Sequence, residues 1–397
     1  MALTLTTADS ALKEDYQPAI REQLNNDIFI LTQVESNSED IEGRRAVLSV
    51  HNSRNTGVGA RAEGGTLPTA GNQGYVEERI PLRYNYGRLQ VSGQSIKAMK
   101  SDTGSFTRAV ESEVRGVVTD LKRQVNRQCF NSALQVIAQC GTTTSDTEVV
   151  LTTPTQTELR QLEIGMLVDV GTDADPDSLA AASAITAVNT STGTVTISDS
   201  ITTTSSHYVS LAGSADNEIT GLREIVAASG TLFNIAGTAA TGWISTDNNN
   251  SGTNRAATDN LFETVINDVQ IASGSDPDLI CTSYGVRRNY ANQLKSQKRF
   301  ADTTDLKGGF KALTVDAGNV SIPLAVDKDN PENTAFILNS DHLTQFQMSD
   351  WEFMDDDGAV LSRVSGVDAY EAVLFKYHEL ATDKRNAHGI LSDLTES

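Results

Sequence analysis

Apolar residues recur every three or four positions through one long central stretch of the sequence. The apolar positions are Phe106, Val110, Val114, Val117, Leu121, Val125, Cys129, Ala133, Val136 and Cys140, and Gly141 follows them. This spacing predicts an amphipathic helix over residues 104–140, roughly 55 Å long at 1.5 Å per residue, which ends at the glycine. Its polar face carries five basic residues, Arg108, Arg115, Lys122, Arg123 and Arg127. That face is either solvated surface or a site for acidic groups of another subunit.

Before this helix the pattern changes to alternation, which is typical of β-strands. The alternating positions are Val47, Ser49 and His51, and later Ile80, Leu82, Tyr84, Tyr86, Leu89 and Val91. The two predicted strands flank residues 53–74, which hold six glycines and almost no large apolar side chain. Because such a stretch has little core to join, we expect it to project into solvent until a partner orders it. A helix-bearing arm is predicted upstream from the spacing of Ala11, Leu12, Tyr16, Ile20 and Leu24.

After the helix, residues 141–213 are rich in Thr, Ser, Asp and Val, and Arg160 is the only basic residue among them. Five short runs have strand character, and residues 191–193 (Ser-Thr-Gly) are typical of a hairpin turn. The strand-like runs cover residues 149–152, 166–170, 185–188, 194–197 and 207–211. This stretch predicts a small, acidic, all-β insert.

The remainder of the sequence alternates between helical and strand patterns, which predicts a mixed α/β region followed by a returning sheet. Helices are predicted over residues 259–272 and from about Tyr284, and strands over residues 279–282, 322–326, 335–338 and 372–377. A second concentration of basic residues lies between positions 287 and 311 and begins with Arg287 and Arg288. Further strand signals surround Trp351 and Phe353.

Composition narrows the possible classes of protein. The chain has 397 residues and a formal net charge of −21, so a general nucleic-acid binder is not expected, because such proteins need clustered positive charge. No apolar run approaches the roughly 20 residues of a membrane helix, and the polar start lacks the features of a signal peptide. We therefore expect a protein made and kept in a cytoplasm. Cys129, Cys140 and Cys281 show no metal or redox spacing and are expected to be buried.

Several local patterns resemble catalytic or binding motifs, and each has a simpler interpretation. Asp173, Asp175 and Asp177 have calcium-loop spacing, but Pro176 interrupts the loop and its twelfth position is Ala184. The three aspartates before Gly358 favour a hairpin turn, and Gly57-Val58-Gly59 does not open a helix as a nucleotide motif would. The five histidines are scattered, and no nucleophile elbow or Walker A loop is present. The sequence therefore indicates no enzyme, no catalytic residue, no cofactor and no metal.

The order of the predicted elements resembles the major capsid proteins of tailed bacteriophages with the HK97-type fold. Four short sequence segments also resemble the family: residues 12–16 (LKEDY), 84–91 (YNYGRLQV), 102–106 (DTGSF) and 368–372 (DAYEA). The resemblance covers nearly the whole chain except residues 141–213. The order of the predicted elements is stronger evidence for it than any single segment. It implies an α+β chain with the HK97-like capsid fold and a small all-β insertion domain.

This resemblance divides the chain into six parts. They are an N-terminal arm (1–43), an extended-loop hairpin (44–96), a spine helix of the peripheral domain (97–140), the β-rich insertion domain (141–213), an axial domain (214–340), and peripheral return strands with the C-terminus (341–397). The arm and the extended loop are then expected to lie across neighbouring subunits. The expected inter-subunit residues are Arg54, Arg61, Glu63, Arg108, Arg115, Lys122, Arg123, Arg127, Arg287 and Arg288.

The implied function is structural. Hexamers and pentamers of the chain would close into an icosahedral shell that contains double-stranded DNA without binding a particular sequence, and the acidic inner surface would stop DNA from adhering. The expected location is the virion capsid, assembled in the host bacterial cytoplasm. The expected partners are other copies of the chain, a separate scaffolding protein, a portal and a cement or decoration protein, with no membrane.

Two departures from the family narrow these expectations. Some members link subunits covalently through a lysine on the extended loop, but no lysine occurs from Glu14 through Ile96, so we expect no such cross-link. Some members begin with a long scaffolding segment, whereas the family-like arm here starts within about ten residues of Met1, so scaffolding should be a separate protein. The insert is expected to face outward and brace the capsomer or receive a cement protein.

Three other functions stay open. An encapsulin-like nanocompartment shell would enclose protein cargo instead of DNA. A β-rich tail or surface adhesin would use the Thr-rich insert, although such proteins rarely need a long basic-striped helix. A hydrolase is the most remote alternative, and an activity that is lost on substitution of Asp355 or His378 would indicate it.

Overall fold

The computed structural model describes residues 28–94, 103–239, 241–296, 303–305, 311–317, 320–355 and 360–396. Side chains are described in these ranges except at 103–112, 295–296, 303–305 and 311–312. The helix predicted in the arm therefore lies outside the described residues, and so does most of the turn predicted before Gly358. The described chain is α+β, in agreement with the sequence-based fold class.

A three-stranded sheet contains the hairpin predicted around the glycine-rich loop. Its strands are β2 (Ile41–Glu42), β3 (Arg45–Ser53) and β4 (Gly74–Pro81), in the order β2-β3-β4. The pairing of β3 with β4 runs from Arg45 opposite Pro81 to Ser53 opposite Gly74. The second strand predicted from the sequence is divided at Leu82, because the following strand, β5 (Arg83–Ser92), joins a different sheet. The hairpin is therefore an extension that leaves the body of the chain at this point.

The second sheet is built around β23 (Ala369–Thr382), a strand of 14 residues. Its other strands are β5, β1 (Glu35–Asn37), β20 (Leu343–Gln347), β21 (Glu352–Phe353) and β22 (Ser362–Arg363). The strand β5 pairs with β23 over ten residues, from Ser92 opposite Ala369 to Arg83 opposite His378. A short helix, α1 (Phe29–Gln33), contributes fully buried side chains to the same hydrophobic core. Segments from the first and the last quarter of the sequence thus form one layer.

The long helix, α2, runs from Thr103 to Cys129 and packs on this sheet. Buried Val114, Val118, Leu121 and Val125 form its inner face. The contact with β5 is close, because a Cβ atom on Gly87 would lie 2.5 Å from Leu121 Cδ1. The predicted apolar stripe therefore does face a core, as its period indicates.

The predicted C-terminal end of this helix, at Cys140, is wrong. The helix ends at Cys129, and backbone hydrogen bonds from Phe130 to Arg127 and from Asn131 to Gln128 turn the chain away from the helix axis. Cys140 continues the helical spacing in the sequence but lies in the core of the insert. The apolar spacing of three or four residues thus continues by coincidence beyond the helix, into a segment that belongs to the core of the insert. The helix is about 40 Å long at 1.5 Å per residue instead of 55 Å.

The predicted all-β insert is a six-stranded sheet in the order β6-β11-β8-β9-β10-β7. Its strands are β6 (Ala138–Gln139), β7 (Thr143–Val150), β8 (Leu167–Thr172), β9 (Asp175–Asn189), β10 (Thr194–Thr203) and β11 (Tyr208–Leu211). A bridge between Cys140 and Leu151, with a 2.7 Å bond from Gly141 N to Val150 O, joins the first strand to the last. The insert is therefore a closed barrel with its own core.

Local features of the barrel follow from its sequence. The predicted turn at residues 191–193 connects β9 to β10, with Gly193 at a φ of 67°. The short helix α3 (Gln156–Gln161) has a capping box in which Thr155 and Glu158 exchange side-chain and backbone bonds. The aspartates with calcium-loop spacing occupy the tip of the β8–β9 hairpin, where Thr172 pairs with Asp175.

The third large sheet has seven strands in the order β14-β24-β19-β15-β18-β17-β16. They are β14 (Thr246–Asn248), β15 (Leu279–Thr282), β16 (Thr303–Asp305), β17 (Lys311–Ala317), β18 (Val320–Val326), β19 (Ala335–Leu338) and β24 (Gly389–Leu391). The helices α5 (Asp259–Ser273) and α6 (Tyr284–Ser296) pack on it, close to the predicted positions. Because β24 belongs to this sheet, the boundary drawn at residue 340 does not coincide with a change of sheet.

Between the barrel and this sheet the chain makes a short helix, α4 (Leu222–Ile225), and a small two-stranded sheet. That sheet pairs β12 (Gly230–Leu232) with β13 (Ile235–Gly237) and lies at the base of the hairpin. The hairpin therefore packs against a small sheet that comes from a distant part of the sequence.

Candidate subunit-contact surface

The extended hairpin displays large apolar side chains to solvent. Val58, Leu67 and Tyr75 are 70%, 81% and 65% exposed. The loop between β3 and β4 keeps its shape through local bonds, in which Asn55 Nδ2 donates to Gly71 O at 2.6 Å and Arg61 Nε donates to Thr66 O at 3.0 Å. Its apolar side chains thus stay uncovered although the backbone is locally held, so a neighbouring molecule could bury them.

The base of the hairpin is held against the small two-stranded sheet. Arg79 N donates to Phe233 O at 3.2 Å. The fully buried Ala46 and Ile80, which pair near the base, pack with Phe346 and Ala381 of the sheet built around β23. The partly buried pair Val50 and Val76, toward the loop end, packs against Ile235 and Trp243. The two strands are therefore held against the body of the chain along most of their length, whereas Val58 and Leu67 in the loop between them stay exposed.

One buried carboxylate lies at this base without a hydrogen-bond partner. Glu78 is fully buried, and neither of its oxygens has a partner. Burial, with a smaller contribution from the nearby Asp383 carboxylate, raises the pKa of Glu78 to about 8. The side chain is therefore largely protonated at neutral pH, which removes the cost of burying a charge.

Arg385 organises the segment that supports the hairpin. Its guanidinium donates to the backbone oxygens of Glu224, Ile225, Ser229, Gly230 and Trp243. The five donors of the side chain thereby tie together the turn around α4, the start of β12 and the loop before β14. Burial lowers the pKa of Arg385 to about 10, so the group stays charged at neutral pH.

The expected inter-subunit residues do not form one cluster. Arg54, Arg61 and Glu63 are exposed on the hairpin loop, Arg115 is exposed and Lys122 half-buried on α2, and Arg287 is half-buried and Arg288 exposed on α6. The backbone of Arg108 is helical, but its side chain lies outside the described ones. Arg123 donates to both oxygens of Glu163 at 2.8 Å, which links α2 to the barrel within one chain.

Arg127 is wrongly assigned to the subunit surface. Its side chain is only 4% exposed and forms a salt bridge with Glu218, which is 1% exposed. Asn131 Nδ2 donates to the other oxygen of Glu218, and Gln135 bonds to the backbone N and O of the same residue. Burial raises the pKa of Glu218, while the Arg127 charge acts in the opposite direction. This cluster fixes the turn after α2 instead of contacting a neighbour.

His378 and the three cysteines, which the sequence analysis considered for catalysis, do not lie where a substrate at the surface could reach them. His378 is fully buried and bonds to Gln345 and Asn85, so no substrate reaches it. The three cysteines are free and buried, as predicted, and burial raises the pKa of Cys140 to about 12. Among the described residues, no group of three or more His, Cys, Asp or Glu side chains has the geometry of a metal site, and no helix is long and apolar enough to span a membrane.

Comparison of sequences matches the chain to no protein family and to no curated protein. Comparison of structures matches it to a chain of the capsid asymmetric unit of cyanophage A-1(L), with 15% identity and a TM-score of 0.52, over 96% of this chain and 93% of that chain. Weaker likenesses include an encapsulin complex from Synechococcus elongatus (TM-score 0.48, 10% identity, 92% and 87% coverage) and Mycobacterium phage Bobi (TM-score 0.44, 10% identity, 100% of both chains).

The fold is therefore that of the HK97-type capsid proteins, and the six-stranded barrel lies between the long helix and α4. The resemblance noted in the sequence is confirmed at the level of the fold.

The buried pair of Arg127 and Glu218 generates the first prediction. We expect Arg127→Met to lower the free energy of unfolding by about 3–5 kcal/mol, because it leaves a buried carboxylate without its counter-charge. The double variant Arg127→Met/Glu218→Gln should recover part of that loss. As a control, Arg123→Ala removes the exposed pair with Glu163 and should cost less than about 1 kcal/mol. Urea denaturation followed by tryptophan fluorescence measures all three, and equal losses for Arg127 and Arg123 would contradict the assignment.

The second prediction concerns Glu78. Because its pKa rises from 4.5 in the unfolded chain to about 8 in the folded chain, folding retains a proton that unfolding releases between these pH values. The free energy of unfolding should therefore fall as the pH rises through this window. Between pH 5 and pH 8, the free energy of unfolding of the variant Glu78→Gln should fall less than that of the wild type. The expected difference between the two falls is about 2 kcal/mol or more.

Denaturation curves at several pH values, recorded for both chains, test this expectation. The difference between the chains isolates Glu78, since Glu379, whose pKa burial also raises to about 8, is present in both. Parallel pH profiles would show that Glu78 titrates normally.

Proposed function

We propose that this chain is the major capsid protein of a tailed bacteriophage. Copies of it would assemble as hexamers and pentamers into an icosahedral shell around double-stranded DNA. The observation that carries the proposal is the hairpin of β3 and β4, whose strands pack on the body of the chain while the loop between them exposes the apolar side chains of Val58 and Leu67. A monomer gains nothing from such an extension, whereas a neighbouring copy can bury it.

The capsid fold over nearly the whole chain supports the same conclusion. Under this proposal the six parts expected from the sequence act as arm, extended loop, spine helix, insertion domain, axial domain and return strands. The net charge of −21 also suits a container for DNA, because an acidic inner surface repels the phosphate backbone. The protein would reside in the virion capsid after assembly in the bacterial cytoplasm.

The barrel is proposed to face outward. It has a core of its own, and the exposed Arg123–Glu163 pair connects it to α2. In this position it would brace the capsomer or receive a cement protein, while scaffolding and portal functions would come from separate proteins. Location of the barrel on the inner surface, against DNA, would contradict this part of the proposal.

Electron microscopy of the purified chain, expressed alone and together with its neighbouring genes, tests the proposed function, and sedimentation gives the particle mass. Closed shells, or rings of five and six subunits, are expected. Shells that enclose protein and never DNA would favour the encapsulin-like alternative. A stable monomer or a fibre under every condition would overturn the shell function and favour the adhesin.

Two basic residues of α2, the exposed Arg115 and the half-buried Lys122, generate a further prediction. Reversal of charge in the double variant Arg115→Glu/Lys122→Glu should impair assembly more than it destabilises the subunit, because both side chains reach the surface of the helix. The expected change in the free energy of unfolding is about 1 kcal/mol or less, with most particles lost from the sedimentation profile. Arg160→Glu, on the barrel surface, is the matched control. Equal loss of folding and of assembly would contradict an interface role.

A further inference from the structure

Three side chains that are distant in the sequence meet at the surface in the order serine, histidine, aspartate. His342 Nε2 lies 3.4 Å from Ser275 Oγ, and His342 Nδ1 lies 2.9 Å from Asp383 Oδ1. A fourth group, Lys384 Nζ, donates to Ser275 Oγ at 2.8 Å. We propose that Ser275 is an activated nucleophile and that this cluster hydrolyses small carboxylic esters.

The hydrogen-bond directions agree with that assignment. The Asp383 carboxylate can only accept, so Nδ1 of His342 carries the proton and Nε2 is left as an acceptor. The Ser275 hydroxyl then donates to Nε2 and accepts from Lys384. The nucleophile Ser275 and the orienting carboxylate of Asp383 thus lie at different nitrogens of the His342 ring, which is the base. This is the geometric requirement for such a triad. The 3.4 Å distance is long for a catalytic contact, as is common before substrate binds.

The fold places these groups for identifiable reasons. Leu343 of β20 pairs with Thr382 of β23, so His342 and Asp383 flank the same end of the two strands. Ser275 follows Gly274, which ends α5 in a left-handed conformation with a φ of 66°. A bond of 3.0 Å from Asn386 Nδ2 to Ala272 O holds the end of α5 beside them. Main-chain geometry therefore brings the three residues together.

The cluster is open to small molecules. The His342 side chain is 23% exposed and that of Asp383 is 55% exposed, while Ser275 is half-buried. Asp383 and Lys384 also line a groove of about 610 Å³ beneath β3, bounded by Trp243. Ser275 and His342 do not line this groove, so a substrate would approach the hydroxyl from the protein surface, which favours small, unhindered acyl esters over large substrates.

The reaction balances without any oxidant or cofactor. Ser275 Oγ attacks the carbonyl carbon while its proton passes to His342 Nε2, and the Lys384 ammonium stabilises the negative charge beside the forming bond. The C–O bond to the alcohol then breaks, and the alcohol takes the proton from His342. Water, activated by the same imidazole, releases the acid and restores Ser275. Ser275 and His342 are the catalytic residues, and Asp383 is a positioning residue.

This inference is independent of the shell function, because it concerns one local cluster on the folded chain. It departs from the expectation of a chain without catalytic residues. The spacing of 67 residues from Ser275 to His342 and 41 from His342 to Asp383 forms no motif, so the sequence gives no signal for it.

The test uses the full chain and a fluorophosphonate probe, which phosphonylates an activated serine with loss of fluoride. Peptide mapping of the labelled wild-type chain should find the modification at Ser275, and needs no variant. Ser275→Ala should abolish labelling, and His342→Gln should slow it by about 100-fold or more. Ser206→Ala, an exposed serine on the barrel, should label like the wild type. Labelling spread over many serines, or absent at Ser275, would overturn the proposal.

Hydrolysis of p-nitrophenyl acetate supplies a second readout. The wild-type rate should exceed that of Ser275→Ala by at least about tenfold, with thermal unfolding confirming that both chains are folded. Asp383→Asn should slow hydrolysis and Asp383→Glu should restore part of it, because the longer carboxylate can still accept from Nδ1. A merely structural role for Asp383 would affect unfolding without this pattern of rescue. Equal rates for wild type and Ser275→Ala would refute the assigned nucleophile.

Discussion

The pairing of β5 with β23 is the interaction on which the rest of the structure depends. It joins residues 83–92 to residues 369–378 over ten positions, so two segments that are far apart in the sequence must meet to complete this core. The long helix packs on this pair at Gly87, and the hairpin leaves it at Leu82. A contact between such distant segments carries a large loop-closure cost, which the buried helix face and strand hydrogen bonds must offset.

The far end of β23 organises the functional surfaces. Asp383 and Arg385 follow directly after the strand, and they serve two different structures. Arg385 binds five carbonyls of the segment beneath the hairpin, whereas Asp383 orients His342 beside Ser275. A shift in the end of β23 would therefore alter both the support of the proposed contact hairpin and the proposed ester site. The end of one strand thus supports both the proposed subunit-contact surface and the proposed ester site.

Burial, more than residue type, decides what each charged group does here. Arg123 and Arg127 are four positions apart on one helix, and both were expected to contact a neighbouring subunit. Arg123 lies at the surface with Glu163, but Arg127 turns inward to Glu218 where the helix ends. The difference arises because the chain reverses after Cys129 and covers the last turn of the helix. Charge alone could not distinguish a surface pair of small energetic value from a buried pair that stabilises a turn.

The sequence by itself determined the nature and the order of the elements. Helical and alternating periods are local properties, so they located α2, α5, the hairpin strands and most of the barrel strands. The order of these elements, with four short segments, resembles the HK97-type capsid proteins, and that resemblance implied the fold. Only the tertiary structure decided where α2 ends, that the insert closes as a barrel through Cys140 and Leu151, and that β24 returns to the seven-stranded sheet. It also brought Ser275, His342 and Asp383 together. These features depend on contacts between distant segments, and periodicity carries no information about which distant surfaces meet.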